Sequence, residues 1–379
     1  TNGPDWRWDR SSLGIPWNFS GSNPNPCEEQ WQGVFCSRNF TQSWRVTGLR
    51  LETEHLRGQL PESIGTFSFM QDLFLGGNRL TGELPSSIGN LSSLRNLDLD
   101  FNNFSSTIPL SIGNLTNLEK LGIGVCNISG PIPNTVGRLS KLSILELYGN
   151  QLTGTIPPSI GNLSSVRILA ISDNMLSGTI PPELGNATTL ELIYLDQNRL
   201  SGTIPPSLSK LVNVKNLYLY ANQLTGTVPE VFGGMNLELF QADKNLLTGT
   251  IPDTFGNMTS LRQFLLNSNQ LTGTVPERLS QLSQLTNLFL DNNALSGTLS
   301  AHFFRHMDQL QTLNFGSNYL HGTLPASLGQ LTALSQLDMN GNYFNNHIPT
   351  SLANLSKLVS LFLQTNLLSG DLDSVFNAS

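Results

Sequence analysis

The chain has 379 residues, of which only 12% are charged, and its formal net charge is −7. An acidic chain without a run of Lys or Arg excludes nucleic acid and anionic membrane surfaces as expected partners. No run of 18 apolar residues occurs, so we expect no membrane span within this sequence.

The cysteines are unevenly distributed along the chain. Cys27 and Cys36 lie close together in a Trp-rich amino-terminal segment, whereas Cys126 stands alone far downstream. Three is an odd count, so at least one thiol has no partner within the chain.

From Val46 onward the sequence repeats itself with a period of 24 residues, apart from one step of 23 and one of 25. A degenerate copy at Val46 precedes the regular ones. A fixed period of this length is typical of stacked structural repeats. The regular frame restarts at Met70, Leu94, Leu118, Leu142, Val166, Leu190, Val214, Leu237, Leu261, Leu285, Leu310, Leu334 and Leu358.

Each copy approximates L-x-x-L-x-L-x-x-N-x-L-[ST]-G-T-[IV]-P-x-x-[IL]-G-x-L. This pattern resembles the plant-type class of extracellular leucine-rich repeats, found in receptor ectodomains, polygalacturonase-inhibitor-like proteins and secreted algal proteins. L-x-L reads as a short strand whose alternate residues point inward, and stacked copies share one core. We therefore predict an α/β leucine-rich repeat solenoid of about 13 full repeats plus an amino-terminal cap. Its concave face would carry a parallel β-sheet, and its convex side a second short strand and 3-10 or loop segments.

The segment from Pro26 through Trp31 to Cys36 resembles the amino-terminal cap of this family, with extra residues between the cysteines. The resemblance implies a disulfide between Cys27 and Cys36, and thus an oxidising, extracellular compartment. We expect a cap over residues 1–45 and a solenoid over residues 46–379. No carboxyl-terminal cap is visible, because the last copy has Asp373 in place of Pro and no cysteine follows.

An Asn column marks the end of each predicted strand. Buried amides persist where they are fully hydrogen-bonded, so we expect these side chains to turn inward and bond the neighbouring repeats. Cys126 falls in the same column, which favours a buried structural thiol. The column comprises Asn78, Asn102, Asn150, Asn174, Asn198, Asn222, Asn245, Asn269, Asn293, Asn318, Asn342 and Asn366.

Eleven N-x-[ST] sequons are predicted to carry N-linked glycans, and six of them share one column near the convex side. Alternatively, G-N-L-[ST] is simply a good turn in this repeat. The six are Asn90, Asn114, Asn162, Asn186, Asn257 and Asn354. The others are Asn18, Asn39, Asn103, Asn127 and Asn377.

Two columns of the predicted concave sheet face outward, and aromatic residues and carboxylates gather there. This combination suits sugars and cationic peptide segments equally, although β-strands favour aromatic residues in any case. Peptide-binding receptors of the family often pair Arg residues on adjacent inner strands, and these columns lack such a pair. The predicted ligand-binding residues are Tyr148, Tyr194, Asp196, Tyr218, Tyr220, Asp243, Phe289 and Asp291.

The second strand of each repeat carries two outward columns rich in Thr and Ser. With strands about 4.8 Å apart, they would form a flat T-x-T array that resembles ice-binding solenoids, although Thr is also a good exposed strand residue. The first column holds Thr107, Thr155, Thr179, Thr203, Thr227, Thr250, Thr274, Thr298 and Thr323. The second holds Thr153, Ser177, Ser201, Thr225, Thr248 and Thr272.

No motif predicts catalysis. His302 and His306 have a spacing that suits a metal on a helix, but no third ligand follows them and an exposed loop explains them better. Asp98 and Asp100 flank a strand leucine, which is a common arrangement in such repeats and no sign of a calcium site. We predict no enzyme, no cofactor and no metal.

The sequence therefore favours a secreted or cell-surface recognition module that binds a protein, peptide or polysaccharide on its concave face. One alternative is a glycosylated structural protein whose uncapped last coil docks on the next copy, giving end-to-end self-association. A wall-enzyme inhibitor is a second alternative, and an ice-binding protein a minor third.

Overall fold

The computed structural model describes residues 25–38, 43–370 and 375. The sequons at Asn18, Asn39 and Asn377, and the Asp373 substitution, lie outside these residues. The chain divides into two compact units, residues 1–190 and 191–379. In each unit, the first strand of every repeat joins a main sheet. Second strands form two separate two-stranded sheets in the first unit and a longer second sheet in the second unit.

In the first unit, a hairpin of two antiparallel strands begins the main sheet, and the strands that follow are parallel. Leu97 pairs with Leu121 and Leu121 with Leu145, so each step along the sheet is one repeat. The main-sheet strands are Val34–Arg38, Trp44–Arg50, Asp72–Phe74, Asn96–Asp98, Lys120–Gly122, Ile144–Glu146 and Ile168–Ala170. The second strands are Arg57–Gly58, Arg79–Leu80, Ser129–Pro131, Gln151–Thr153 and Ser177–Thr179.

The second unit repeats this plan with parallel strands throughout. Leu217 pairs with Phe240, and Phe240 with Phe264, in the same register. The main-sheet strands are Leu192–Tyr194, Asn216–Tyr218, Leu239–Gln241, Gln263–Leu265, Asn287–Phe289, Thr312–Asn314, Gln336–Asp338 and Ser360–Phe362. The second strands are Arg199–Thr203, Gln223–Gly226, Leu246–Gly249, Gln270–Thr274, Ala294–Gly297, Tyr319–Thr323, Tyr343–His347 and Leu367–Ser369.

A short 3-10 helix returns the chain to the next strand in nearly every repeat, and a Pro residue precedes each helix. Proline fixes φ and lacks an N–H, so it ends strand pairing and starts the turn. In the first unit the helices are Glu62–Thr66, Ser86–Asn90, Leu110–Asn114, Asn134–Arg138, Pro158–Asn162 and Pro182–Asn186. In the second they are Pro206–Lys210, Glu230–Gly234, Asp253–Asn257, Glu277–Gln281, Ala326–Gln330 and Thr350–Asn354.

The consensus leucines of both units form a dry core. Leu97, Leu121, Leu217 and Leu288, for example, have at most 1% of their surface exposed. No single repeat buries this apolar face alone, because each leucine is covered by the repeats on either side. The predicted leucine-rich repeat solenoid is therefore confirmed.

The Asn column turns inward, as predicted, and ties each repeat to the one before it. Asn222 Nδ2 donates to the carbonyl oxygens of Leu195 and Leu219 at 3.0 and 3.1 Å. Its Oδ1 accepts the N–H of Leu200 at 2.9 Å. Buried backbone groups at the strand ends thus gain partners that the strands themselves do not supply.

Cys126 occupies one position of this ladder as a buried free thiol. Its Sγ lies 3.0 Å from the Leu99 carbonyl oxygen, the acceptor that an Asn Nδ2 would use, and 3.3 Å from that of Gly124. Burial raises the pKa of the thiol to about 12, so the group stays protonated. The structural role predicted for this cysteine is confirmed.

The ladder continues through the two repeats of irregular length. After the 23-residue step, Asn245 Nδ2 still donates to the Leu219 carbonyl oxygen at 3.0 Å. After the 25-residue step, Asn318 Nδ2 donates to the Leu290 carbonyl oxygen at the same distance. The difference in length is taken up elsewhere, since the longer repeat replaces the 3-10 helix by turns over residues 301–306.

The Thr and Ser side chains of the second sheet do not form the flat array predicted from the sequence. Thr203 pairs with Thr225 rather than with a residue 24 positions further on. Gly202 and Gly226, which separate the two columns, have φ values of 72° and 73°. A left-handed residue interrupts the alternation of a pleated strand, so the prediction of a T-x-T plane was wrong.

At the amino-terminal end, Cys27 and Cys36 form the disulfide that the resemblance implied, with their Cα atoms 5.7 Å apart. Trp31 lies between them in sequence and is only 6% exposed. Its indole N–H donates to Glu29 Oε2 at 2.8 Å. The bridge therefore pins a Trp-containing turn to the strand Val34–Arg38.

Candidate functional site

The open face of the main sheet in the second unit carries a stacked pair of tyrosines. Tyr194 and Tyr218 end neighbouring parallel strands and pair directly in register. Their ring centroids lie 4.7 Å apart, and their planes are inclined by only 10°. The spacing matches the separation of adjacent strands, so the sheet itself positions the stack. Both side chains are partly exposed, as the sequence predicts for this column.

Tyr220 lies two residues beyond Tyr218 and belongs to the same polar edge of the sheet. Its hydroxyl is 3.1 Å from Gln197 Nε2 and is also hydrogen-bonded to the Asp196 side chain. Burial raises the pKa of the phenol to about 12, and the negative charge of Asp196 adds to this effect. The phenol is therefore neutral and donates to the carboxylate.

The carboxylates beside these rings are more buried than the sequence predicts. Asp196 and Asp243 are each 5% exposed, and Asp291 is 8% exposed. Each follows the last inward residue of its strand, where the chain turns and the neighbouring repeats cover it. The sequence placed these carboxylates in an outward-facing column, and their near-complete burial corrects that expectation. Instead, they lie just beneath the open face.

Nearby side-chain amides donate hydrogen bonds to Asp243 and Asp291. Gln241 Nε2 donates to Asp243 Oδ1 at 2.9 Å, and Asn292 Nδ2 donates to Asp291 Oδ2 at 2.6 Å. Asp291 Oδ1 is buried without a hydrogen-bond partner among the described residues. Burial raises the pKa of both carboxyl groups. Phe289, the remaining predicted residue of this unit, is partly exposed two residues before Asp291.

Tyr148 belongs to the first unit, where it stands over a glycine. A Cβ on Gly124 would come within 2.7 Å of Tyr148 Cε1, so only glycine leaves room for the ring. Beside it, Gly124 donates its backbone N–H to the buried Asp100 carboxylate at 2.5 Å. Burial, opposed by this bond, raises the pKa of Asp100 to about 6.

Sequence reasoning missed a charged cluster on the same face of the first unit. Lys120 Nζ lies 2.8 Å from Asp98 Oδ2 and 3.4 Å from Glu146 Oε2. Asp98 and Glu146 occupy equivalent positions, and Lys120 lies two residues before that position on the strand between them. The 24-residue register was therefore the signal that brings the three residues together. Despite its partial burial, Lys120 has a raised pKa because the two carboxylates stabilise its charge.

A second tyrosine stack, which the sequence did not single out, lies on the second sheet. Tyr319 and Tyr343 are 53% and 50% exposed, and their ring centroids lie 6.2 Å apart. They resemble the Tyr194 and Tyr218 pair in composition, but no carboxylate columns flank them. This second pair therefore supplies a natural control for tests of the main-sheet face.

The six aligned sequons occupy one structural position. Each Asn is the last residue of a 3-10 helix and is exposed, on the return segment rather than the main sheet. Asn103 and Asn127 are exposed too. A glycan at any of the six would leave the open face of the main sheet uncovered.

The structure offers little that resembles a catalytic or metal centre. His302 and His306 are exposed on a turn, as predicted. Across residues 25–38 and 43–370, no three His, Cys, Asp or Glu side chains gather as a metal site. No helix in the described part of the chain is long and apolar enough to cross a membrane.

Comparison with known proteins agrees with this architecture. A leucine-rich repeat model matches residues 69–91, 93–115, 141–163, 165–187, 189–211 and 213–235, and a second matches residues 297–344. A plant peptide hormone receptor, RGFR1 in complex with RGF2, is 34% identical with a TM-score of 0.83. The chain is a leucine-rich repeat protein, and its repeats are similar to those of plant receptor structures.

Two further solved structures are similar to this leucine-rich repeat protein. The PEPR1–AtPEP1 structure is 33% identical with a TM-score of 0.87, and a TDR receptor is 32% identical with a TM-score of 0.77. The alignments cover 90%, 93% and 85% of this chain, and 61%, 49% and 60% of RGFR1, PEPR1 and TDR. The chain thus spans roughly half to three fifths of each receptor structure. No curated protein sequence matches it.

Proposed function

We propose that this leucine-rich repeat protein is a secreted or cell-surface recognition module without catalytic activity. Its ligand is a peptide or a segment of a protein, and the ligand lies on the open face of the main sheet. The observation that carries the proposal is the stacked pair of Tyr194 and Tyr218, held partly exposed beside the carboxylates of Asp196 and Asp243. Rigid aromatic side chains beside polar groups are typical of protein-binding surfaces.

The comparisons support the same type of ligand. RGFR1 is described as a plant peptide hormone receptor and was solved with RGF2 bound. The disulfide between Cys27 and Cys36 supports an extracellular location, because such bonds persist in oxidising compartments. The aligned sequons are the proposed sites of N-linked glycans, and they lie away from the proposed binding face.

The proposal is tested by panning a random peptide library against the purified chain and measuring the affinity of each enriched peptide. The test variant is Tyr194→Ser combined with Tyr218→Ser. The matched control is Tyr319→Ser combined with Tyr343→Ser, which removes a more exposed and more widely spaced tyrosine pair from the second sheet. We expect the test variant to lose about tenfold or more in affinity and the control to change by less than about twofold.

Two outcomes argue against this function. Peptides that bind the test variant as tightly as the unchanged chain would place recognition elsewhere. Enrichment of no peptide, together with tyrosine-dependent binding on an oligosaccharide array, would replace the peptide by a polysaccharide ligand. Circular dichroism and thermal unfolding of each variant separate lost contacts from lost folding.

A further inference from the structure

The carboxylates of the second unit recur on every other repeat. Asp196, Asp243 and Asp291 occupy the same position of their repeats, with Tyr220 and Asn267 on the repeats between them. Adjacent strands lie about 4.8 Å apart, so successive carboxylates are about 9.6 Å apart along the sheet. A ligand that crosses the strands therefore meets a negative group at this interval.

The two outward columns of the second unit hold no positive charge to neutralise these groups. Among their residues from Tyr194 to Gln364, the charged side chains are four Asp and no Lys or Arg. Lys244 follows Asp243 in sequence, but it is exposed and lies outside both columns. The face thus presents carboxylates and aromatic rings, a combination that attracts ammonium and guanidinium groups.

Asp291 supplies a second and independent observation. Its side chain is more than nine-tenths buried, and Oδ1 has no hydrogen-bond partner among the described residues. Buried acceptors of this kind normally have a donor, and an unsatisfied one is unfavourable by about 1–3 kcal/mol. The oxygen itself is covered, so a ligand's donor would reach it once the carboxyl group turns toward the open face. Burial also raises the pKa of Asp243 and Asp291, and the charge of Lys244 opposes this only in part at Asp243.

We infer that the ligand is a peptide segment with basic side chains three residues apart, received by Asp243 and Asp291 on alternate repeats. The inference rests on the proposed function and names the chemistry of its ligand. In a polyproline II segment, residues i and i+3 point to the same side about 9.3 Å apart, close to the interval of the carboxylates. In a β-strand, same-side residues lie about 6.8 or 13.6 Å apart and match less well.

Arg suits this site better than Lys. A guanidinium group bonds a carboxylate through two N–H donors and also stacks on an aromatic ring. Phe289 precedes Asp291 on the same outward side of its strand, and Tyr218 lies on the strand adjacent to that of Asp243. Each basic side chain of the segment thus meets a carboxylate together with an aromatic neighbour.

The test uses fluorescein-labelled peptides with two Arg residues in a Pro-rich background, spaced by two, three or four positions. A fourth peptide has Gln in place of both Arg residues. Fluorescence anisotropy with the purified chain at about 0.05 M salt reports affinity while surface charges are weakly screened. We expect the three-residue spacing to bind about tenfold more tightly than the other spacings. We expect the Gln peptide not to bind.

Asp243→Asn and Asp291→Asn keep the side-chain shape and remove one charge each. We expect each variant to weaken the three-residue peptide by about tenfold. The matched control is Asp253→Asn, which removes an equal charge from an exposed 3-10 helix on the return segment. This control should alter affinity by less than about twofold.

Equal affinity for all spacings, no binding of the Arg peptides, or an equal loss in the Asp253 control would overturn the inference. The peptide library tests the proposed function independently of this inference. Enriched library peptides that depend on Tyr194 and Tyr218 but lack basic residues would overturn the inference and leave the function standing. Peptides that ignore the tyrosine pair would contradict the function itself.

Discussion

Thr203 packs its methyl group over Gly226 of the next repeat, and a Cβ at Gly226 would come within 2.8 Å of Thr203 Cγ2. The φ of Gly226 is also 73°, a region that side chains with a Cβ adopt at a cost of about 1–2 kcal/mol. We expect Gly226→Ala to lower the free energy of unfolding by about 2 kcal/mol or more. Thermal or urea unfolding measures the loss.

Gly234→Ala is the matched control for this prediction. Gly234 ends a 3-10 helix, and a Cβ there would meet no atom within 4 Å. Replacing such a glycine reduces the entropy of the unfolded chain, so stability should stay equal or rise by about 0.4–1 kcal/mol. Equal losses from the two variants would contradict the packing argument.

Removal of one ladder amide should be costly. Asn222→Ala leaves the N–H of Leu200 without its acceptor. It also removes one donor from each of the Leu195 and Leu219 carbonyl groups, which a neighbouring ladder amide still contacts. One buried orphan costs about 1–3 kcal/mol, so we expect a loss of about 2 kcal/mol. The exposed Asn134→Ala should change stability by less than about 0.5 kcal/mol. A comparably small effect at Asn222 would show that water replaces the ladder.

At Cys126, a substitution can add a ladder amide instead of removing one. The thiol donates to the Leu99 carbonyl, but it lacks the side-chain oxygen that would accept the N–H of Phe104. Cys126→Asn adds that acceptor, and we expect a gain of about 1 kcal/mol in the free energy of unfolding. Cys126→Ala should be less stable than the unchanged chain. A loss of stability in the Asn variant would indicate that the site is shaped for sulfur.

Asp100 should make stability depend on pH. Its pKa is raised to about 6, so the folded chain binds this proton more tightly than the unfolded chain. The free energy of unfolding therefore falls as pH rises from about 4 to about 7, by about 2 kcal/mol for this group. In Asp100→Asn this component is absent. Urea unfolding of both proteins at several pH values measures the difference, and parallel curves would contradict the shift.

Glycosylation of the return segment is directly measurable. After secretion from a eukaryotic host, we expect the intact mass of the chain to exceed its polypeptide mass and to fall on treatment with peptide N-glycosidase. Asn162→Gln should remove the mass of one glycan. Asn150→Gln, at a partly buried ladder position without a sequon, serves as the control and should leave the glycan mass unchanged. An unmodified chain from such a host would refute the prediction.

The fold could be predicted from the sequence because the same leucine and asparagine positions recur in each repeat. A leucine period of 24 residues fixes the register, and the Asn column fixes where each strand ends. The placement of Tyr194 beside Tyr218 followed from the same register. The prediction that Cys126 is a buried structural thiol was also confirmed, because its position in the Asn column determines its surroundings.

Other features depended on local geometry that the period does not encode. The burial of Asp243 and Asp291 arises from the turn of the backbone beyond the strand, which a two-sided strand pattern does not describe. The Thr columns failed as a flat array because Gly202 is left-handed and the pairing register is offset. The bonds from Lys120 to Asp98 and Glu146 depend on side-chain reach across neighbouring strands.

The persistence of the amide ladder through repeats of 23 and 25 residues has an evolutionary consequence. Insertions and deletions are accommodated in the return segments, as at residues 301–306. The spacing of side chains on the main sheet is therefore maintained. Such a protein is free to vary the length of its return segments between relatives without moving any residue that a ligand would touch. Changes in specificity then arise by point substitution, one repeat at a time.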